Sequence, residues 1–338
     1  MGTKILDCTL RDGGHVNNAE FGKENIKKII GALTSANIDF VELGFLRNGK
    51  FSGNQALFND ITEIYPLLPK NLNNTKFTIM IRPDWYDIKQ LSESVGMINI
   101  IRFAFYYKDF ELMKEYCKIA ANKGYEFICN PVNIMGYSSK EMKELIKRIN
   151  DIHPVQMTMV DTYGSMQIDD LYRIYETVEN NLDKDISIGL HLHENRNLSF
   201  GIAQEFCKIK EENREAVIDA SLLGMGRIPG NLCIEVLAEY FNETGKNLYD
   251  MDILYRIIGE CIESIKAEHP WGYSPAYFIT AKYKMHRSYA EYLLEKTDLQ
   301  LVDINNILKN VDINKRSEFY LDYIEKQYVT YKEVKKNV

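Results

Sequence analysis

The feature that most constrains this chain is an alternation. Eight short apolar runs, at 4–10, 39–46, 76–81, 97–105, 125–134, 155–161, 186–193 and 216–224, are separated by longer segments. Several of those segments, among them 23–37, 111–124, 139–150 and 169–182, place apolar residues three and four positions apart. Such runs are strands covered on both faces, and the periodic segments are amphipathic helices. Strand followed by helix, repeated, imposes parallel strands joined by right-handed crossovers. Eight such units fit a closed (β/α)8 TIM barrel better than an open sheet. No residue signature recurs between the units, so their spacing is not that of a solenoid.

The chain has 338 residues, 45% of them hydrophobic, enough for one large core. The reading is a catalytic barrel over 1–245 and a helical C-terminal extension over 246–338, packed on the barrel and rich in Tyr and charge. "HPWGYSPAY" (269–277) breaks that extension with two prolines and a glycine. A net charge of −7 and a pI near 5.6, without any clustered basic stripe, exclude a broad nucleic-acid surface. No apolar run is long enough to span a bilayer, and no basic segment precedes one in the manner of a secretory signal. The six cysteines are scattered and form no CxxC pair, which predicts reduced thiols in a cytoplasmic protein.

Catalytic groups of a barrel sit at the C-terminal ends of its strands, and the polar clusters of this chain fall there. "TLRDGGH" (9–15) ends the first run, Glu42 lies in the second, Arg82 follows the third, and Asn130 and Asn133 lie in the fifth. "DTYG" (161–164), "HLHEN" (191–195) and "GMGRIPGN" (224–231) follow the sixth, seventh and eighth. Residues two apart on a strand share a face, so His191 and His193 can offer two imidazoles to one ion, with Asp12 as a third ligand. Two strand-end histidines with backbone partners are the alternative. One carboxylate and two imidazoles with positions left open suit Mn2+ or Mg2+ foremost, with Zn2+ or Co2+ as further choices. Arg11 can pair with a neighbouring carboxylate or, beside an ion, stabilise a developing enolate oxygen. His15, beyond the flexible "GG", can reach a substrate hydroxyl and exchange its proton.

"DCTLRDGGH", "HLHEN" and "GMGRIPGN" together resemble the DRE-TIM metallolyase superfamily. That group includes 3-hydroxy-3-methylglutaryl-CoA lyase, isopropylmalate and citramalate synthases, and 4-hydroxy-2-oxovalerate aldolase. The resemblance implies that Asp12, His191 and His193 bind a divalent metal and that Arg11 supports a pyruvate enolate. It also implies that Thr162 lies near the oxo acid. Histidine at position 15, where the Claisen-type synthases carry glutamine, favours the 4-hydroxy-2-oxovalerate aldolase branch and makes His15 the base for the 4-hydroxyl. "WGYSPAY" resembles the aldolase stretch that supplies a tyrosine near this base, which makes Tyr277 or Tyr273 its counterpart. Asn231 matches a position that reaches the metal in the CoA lyase, and Glu42 is expected to orient water or ligands. "LGFLRNGKFSGN" (43–54) departs from the aldolase pattern, with Arg47 and Lys50 adding charge near the mouth, either as solvated loop residues or for an anionic or polyhydroxylated aldehyde.

The implied activity is a metal-dependent class II aldolase, a carbon–carbon lyase acting on pyruvate or another 2-oxo acid and an aldehyde. A Claisen-type acyl-CoA condensing enzyme or CoA-ester lyase is the alternative within the superfamily, and a catalytically silent barrel that binds a protein partner is the alternative outside it. The extension is a place for a homo-oligomer contact or a partner enzyme; in the oxovalerate aldolases this region contacts an acetaldehyde dehydrogenase, a partner that the resemblance does not carry over to this chain without a matching surface.

Overall fold

A computed structural model describes residues 2–245 and 248–336. Strands β1 (Thr3–Asp7), β2 (Phe40–Leu46), β3 (Leu57–Phe58), β4 (Lys76–Ile81), β5 (Ile100–Phe105), β6 (Glu126–Pro131), β7 (Gln156–Val160), β8 (Ser187–His191) and β9 (Ala216–Ala220) form one sheet. All its pairs are parallel, and β1 bonds to both β9 and β2, with Leu6 opposite Phe40 and Thr3 opposite Ala216. The sheet therefore closes into an eight-stranded barrel, and the two-residue β3 lies outside it against the end of β2.

Five crossovers carry helices, α1 (Lys23–Ser35), α2 (Phe110–Asn122), α3 (Ser139–Ile152), α4 (Ile168–Asn181) and α5 (Ser199–Ile209), and α6 (Ile234–Thr244) follows the last strand. In α3, Met142, Leu145, Ile146 and Ile149 form the buried stripe, and Ser138 with Glu141 closes a capping box at its start. The alternation fails twice. Between β2 and β4, and again between β4 and β5, only single 3₁₀ turns occur, at 61–63, 65–67 and 88–90. Pro66 and Pro69 in the first crossover, and Pro83 and Gly96 in the second, interrupt any longer helix.

Inside the barrel the period of two sorts residues into layers. Leu6, Phe40, Ile100, Ile128 and Val217 close the N-terminal side with apolar contacts. Two residues further along their strands come Glu42, Arg102, Asn130 and Asp219, all buried. The polar layer is thus the floor on which the mouth is built.

Beyond the barrel, α7 (Met251–Ile257), a π-helical turn (258–262) and α8 (Glu263–Glu268) follow. The main core continues into them through Leu254, Ile257 and Ile262, and on to Trp271. A second cluster, with Met285, Tyr289, Leu293, Ile304 and Ile307, is built by α9 (Pro275–Lys282), α10 (Ser288–Leu294), α11 (Leu301–Lys309) and α12 (Leu321–Lys336). This part reaches the barrel mouth: the Tyr163 hydroxyl donates to the Ser317 carbonyl at 2.5 Å, and Lys108 pairs with Glu318 at 3.0 Å. All six cysteines are free thiols. Among the described residues no helix is long and apolar enough to cross a membrane.

Candidate active site

Asp12, His191 and His193 converge at the mouth, where their ligand atoms lie within 4.8 Å of one another. Hydrogen bonds from behind orient the two imidazoles. His193 Nδ1 lies 2.8 Å from the Asp161 carbonyl, which can only accept, so Nδ1 carries the proton and Nε2 keeps its lone pair. His191 Nδ1 lies 2.9 Å from Asp219 Oδ2. Burial pushes the Asp219 carboxyl upward, but Arg102 and His191 outweigh it and hold the group below the usual range, so Asp219 is an ionised acceptor and His191 Nε2 is also free. Asp161 is itself tied down by the backbone N–H groups of Ser165 and Met166, each at 2.9 Å. That tight turn needs Gly164, whose φ is 57° and where a Cβ would stand 2.2 Å from Asn195 Oδ1.

These residues fit a divalent ion. Asp12 Oδ2 is buried without any hydrogen-bond partner, 3.5 Å from His193 Nε2. Burial opposes its charge, yet Arg11 and the two histidines keep the Asp12 carboxyl well below the usual range. Two imidazole lone pairs and a bare carboxylate oxygen facing one point are a cation's donor set, and they would be an uncompensated cost otherwise.

Arg11 is fixed from behind by Glu42, with Nε 2.6 Å from Oε2, and its Nη1 bonds to Asp12. Glu42 also accepts from Arg102 Nη1 at 3.0 Å, while Arg102 Nη2 reaches Asn130 Oδ1 at 2.9 Å and Asp219 Oδ2 at 2.6 Å. Two buried guanidiniums thus face the three carboxylates of Asp12, Glu42 and Asp219, leaving one negative charge in excess. Desolvation works against the charge on Arg102 but its two carboxylate partners prevail, and its pKa is raised.

A cavity of about 140 Å³ opens above this layer, and Arg11, Asp12, His15, Thr162, His191 and His193 all line it. The Thr162 Oγ1 accepts from the Asn133 N–H at 2.7 Å, which leaves its own proton available to donate. His15 is half-buried against Phe45, 5.6 Å between ring centroids. Arg227 Nη2 is 3.1 Å from one His15 ring nitrogen and 3.3 Å from the other. An in-plane approach so nearly equidistant would collide with Cε1; the guanidinium therefore lies over the ring face and leaves the in-plane lone pair available. Burial first, and Arg227 second, hold the His15 pKa well below its ordinary value, so the imidazole is neutral.

Arg82 and Asn130 also line the cavity, whereas Glu42, Asn231, Tyr273 and Tyr277 do not. Glu42 acts through Arg11. Asn231 donates to the Met225 carbonyl at 2.9 Å and forms a backbone bridge with His193, while its Oδ1 is buried and unpartnered. Tyr273 is 54% exposed, and Tyr277 is buried among Ala276, Ala290 and Ile228, so neither tyrosine forms part of the cavity wall. The tyrosines that do are Tyr106 and Tyr163. Arg47 stacks on Trp85 at 4.8 Å, and with Lys50 lines an adjoining cavity that shares Arg11, His15, Phe45 and Trp85 with the first.

Sequence reasoning missed Arg102, Asp219, Arg227, His286 and Arg287. The first two carry a legible signal, a lone charge inside "IIRFAF" and inside "AVIDA", since a charge within a buried strand requires a partner. His286 and Arg287 come from the extension, where no periodicity announces them.

Comparison with known proteins supplies the family. An oxaloacetate decarboxylase of Mycobacterium tuberculosis is 24% identical over 242 residues, 71% of this chain and 70% of that protein. A 4-hydroxy-2-oxovalerate aldolase of Geobacillus genomosp. 3 is 25% identical over 270 residues, 77% of this chain and 78% of its own. The fold matches the crystal structure of an N-terminal domain from Bacteroides vulgatus with a TM-score of 0.74 at 23% identity, covering 87% of this chain and 97% of that one. Residues 3–255 match the HMGL-like family, and the chain belongs to that family, the divalent-metal-dependent DRE-TIM group.

Proposed function

We propose that this protein is a divalent-metal-dependent aldolase that cleaves or forms a 4-hydroxy-2-oxo acid, with pyruvate enolate and an aldehyde as the two fragments. One observation carries the reading: a neutral His15 shares a single cavity with the Asp12, His191 and His193 donor set and with a braced Arg11. Asp12, His191 and His193 would hold a divalent ion such as Mn2+ or Mg2+, which would supply Lewis acidity toward a bound 2-oxo acid. Arg11, immobilised by Glu42, presents its guanidinium to the oxygen on which enolate charge develops. The Thr162 hydroxyl is free to donate to the oxo acid. His15 takes the 4-hydroxyl proton through its in-plane lone pair as the bond between C3 and C4 breaks, and returns that proton in the condensation direction. Phe45, Trp85 and Ile228 supply apolar wall that limits water around the enolate.

The relatives named as aldolases support this reading, and the one named as an oxaloacetate decarboxylase supports a second, because loss of CO2 from a 2-oxo diacid leaves the same enolate. The two differ at His15, since decarboxylation has no hydroxyl proton to remove. The test is release of pyruvate from 4-hydroxy-2-oxo acids and from oxaloacetate with Mn2+, with and without chelator, beside thiol release from acetyl-CoA. Chelator-sensitive pyruvate release from the hydroxy acid, lost in His15→Ala, is expected. Pyruvate only from oxaloacetate, indifferent to His15→Ala, selects the second reading. Thiol release would favour the Claisen-type alternative, and activity that persists in chelator would remove all three.

A further inference from the structure

The cavity holds more positive charge than the enolate chemistry uses. Arg227, from the loop after β9, makes no ion pair among the described residues; its polar contact is the face of His15. Arg287, the residue that caps the start of α10, lines the same cavity. Arg287 pairs through Nη2 with Glu291 at 3.1 Å, a partly exposed partner, while its Nε–H is buried with no acceptor. Arg287 weighs on Arg227, whose pKa is pulled down to about 10, by burial first and by Arg287 second. Nearby His286 adds no charge of its own, because burial and Arg287 bring it down to about 4. Two half-buried guanidiniums lining one cavity without a shared carboxylate are a standing cost, which an anion bound there would relieve. Their position says which part of the substrate that anion belongs to. Arg227 contacts His15, the base assigned to the hydroxyl that becomes the aldehyde oxygen, and Arg287 lines the same cavity, so the pair belongs with the aldehyde fragment.

We propose that the aldehyde fragment carries its own anionic group, a carboxylate or a phosphate one to three atoms from the carbonyl carbon, received by Arg227 and Arg287. The proposal rests on the aldolase reading and refines its second substrate. It also gives the C-terminal extension a part in the site, since Arg287 belongs to α10 and not to the barrel. Guanidiniums recognise both groups bidentately, so the source is settled by trial.

The test compares condensation of pyruvate with four acceptors in the presence of Mn2+: propanal, glyoxylate, succinic semialdehyde and glyceraldehyde 3-phosphate. In parallel, exchange of the pyruvate methyl protons with D2O is followed by NMR, a measure of enolate formation that requires no aldehyde. At least one anionic acceptor is expected to exceed propanal in kcat/KM by about 10- to 100-fold, the value of one or two charge-assisted hydrogen bonds. In Arg287→Gln that ratio falls at least tenfold, and Arg287→Lys recovers part of it. Exchange without preference for any anionic acceptor in the wild-type protein overturns this proposal and leaves the aldolase reading standing. Absence of both exchange and condensation overturns the two together.

Discussion

Asp219 is the residue at which the fold and the ion-binding set are most directly coupled. Its Oδ2 accepts from His191 Nδ1 at 2.9 Å and from Arg102 Nη2 at 2.6 Å, and the side chain is fully buried. In Asp219→Ala, His191 loses the acceptor that fixes its tautomer, and Arg102 keeps Glu42 as its one carboxylate. Removing one partner from a buried ion pair costs about 3–5 kcal/mol of stability. Losing the orienting partner of a metal-ligating imidazole costs about 10- to 100-fold in metal affinity, or about 1.4–2.7 kcal/mol. Asp219→Asn separates the two effects. An amide oxygen still accepts from one donor, so the stability loss shrinks to about 1–3 kcal/mol, whereas the negative charge that favours a cation is gone and affinity drops as in the alanine variant. Urea denaturation of the metal-free proteins measures the first quantity, and calorimetric titration with Mn2+ the second. A folded Asp219→Ala protein that binds Mn2+ within twofold of wild type would refute the claim that Asp219 positions a ligand through His191.

His15→Ala is expected to lose about 10²- to 10⁴-fold in turnover while its Mn2+ titration stays near wild type, and His193→Ala to lose Mn2+ binding itself; equal loss of metal in both would mean that His15 is misassigned. Because burial and Arg227 lower the His15 pKa, the neutral base persists as pH falls, so at saturating Mn2+ the acid limb of kcat/KM lies below 6.5 and moves upward in Arg227→Gln. A limb at or above 6.5 in the wild-type protein contradicts that assignment. Burial raises the Asp7 pKa from 3.8 to about 7 in spite of its bonds to Thr9. The folded protein then holds a proton that the unfolded chain has released, so stability declines by about 4 kcal/mol as pH rises across this window, and thermal melts of Asp7→Asn between pH 5 and 8 should show a flatter profile.

The barrel and its ligand triad were legible because each obeys a local rule. Strand period places His191 and His193 on one face, and the (β/α)8 arrangement brings Asp12, some 180 residues away, to the same rim. Arg11 and His15 came with Asp12, as near neighbours in the turn after β1. The missing helices after β2 and β4 were marked by prolines that the alternation rule overrode. Arg102 and Asp219 could have been found by asking what balances a charge in a buried strand. The tyrosines of "WGYSPAY" were misplaced for a different reason. Where a segment outside the barrel lies on its mouth depends on long-range packing, and here α9 turns Tyr277 into an apolar cluster while Tyr273 faces solvent.

That division has a chemical counterpart. On the proposed reading, the groups that a shared enolate step would require, Asp12, His191, His193 and Arg11, lie at strand ends or in the turn directly after β1, where position follows from register and cannot drift without loss of the fold. The groups that meet the other fragment, Arg227, His286 and Arg287, are carried by a loop and by the extension, which can change length and sequence while the barrel remains intact. Bond breaking is therefore written into the part of the chain that a periodicity argument reads well, and discrimination between aldehydes into the part that it reads poorly. On that view, exchanging residues 269–290 between relatives should move acceptor preference while pyruvate proton exchange survives; joint loss of both in a folded, metal-binding chimera would show that the two functions are not separable in this way.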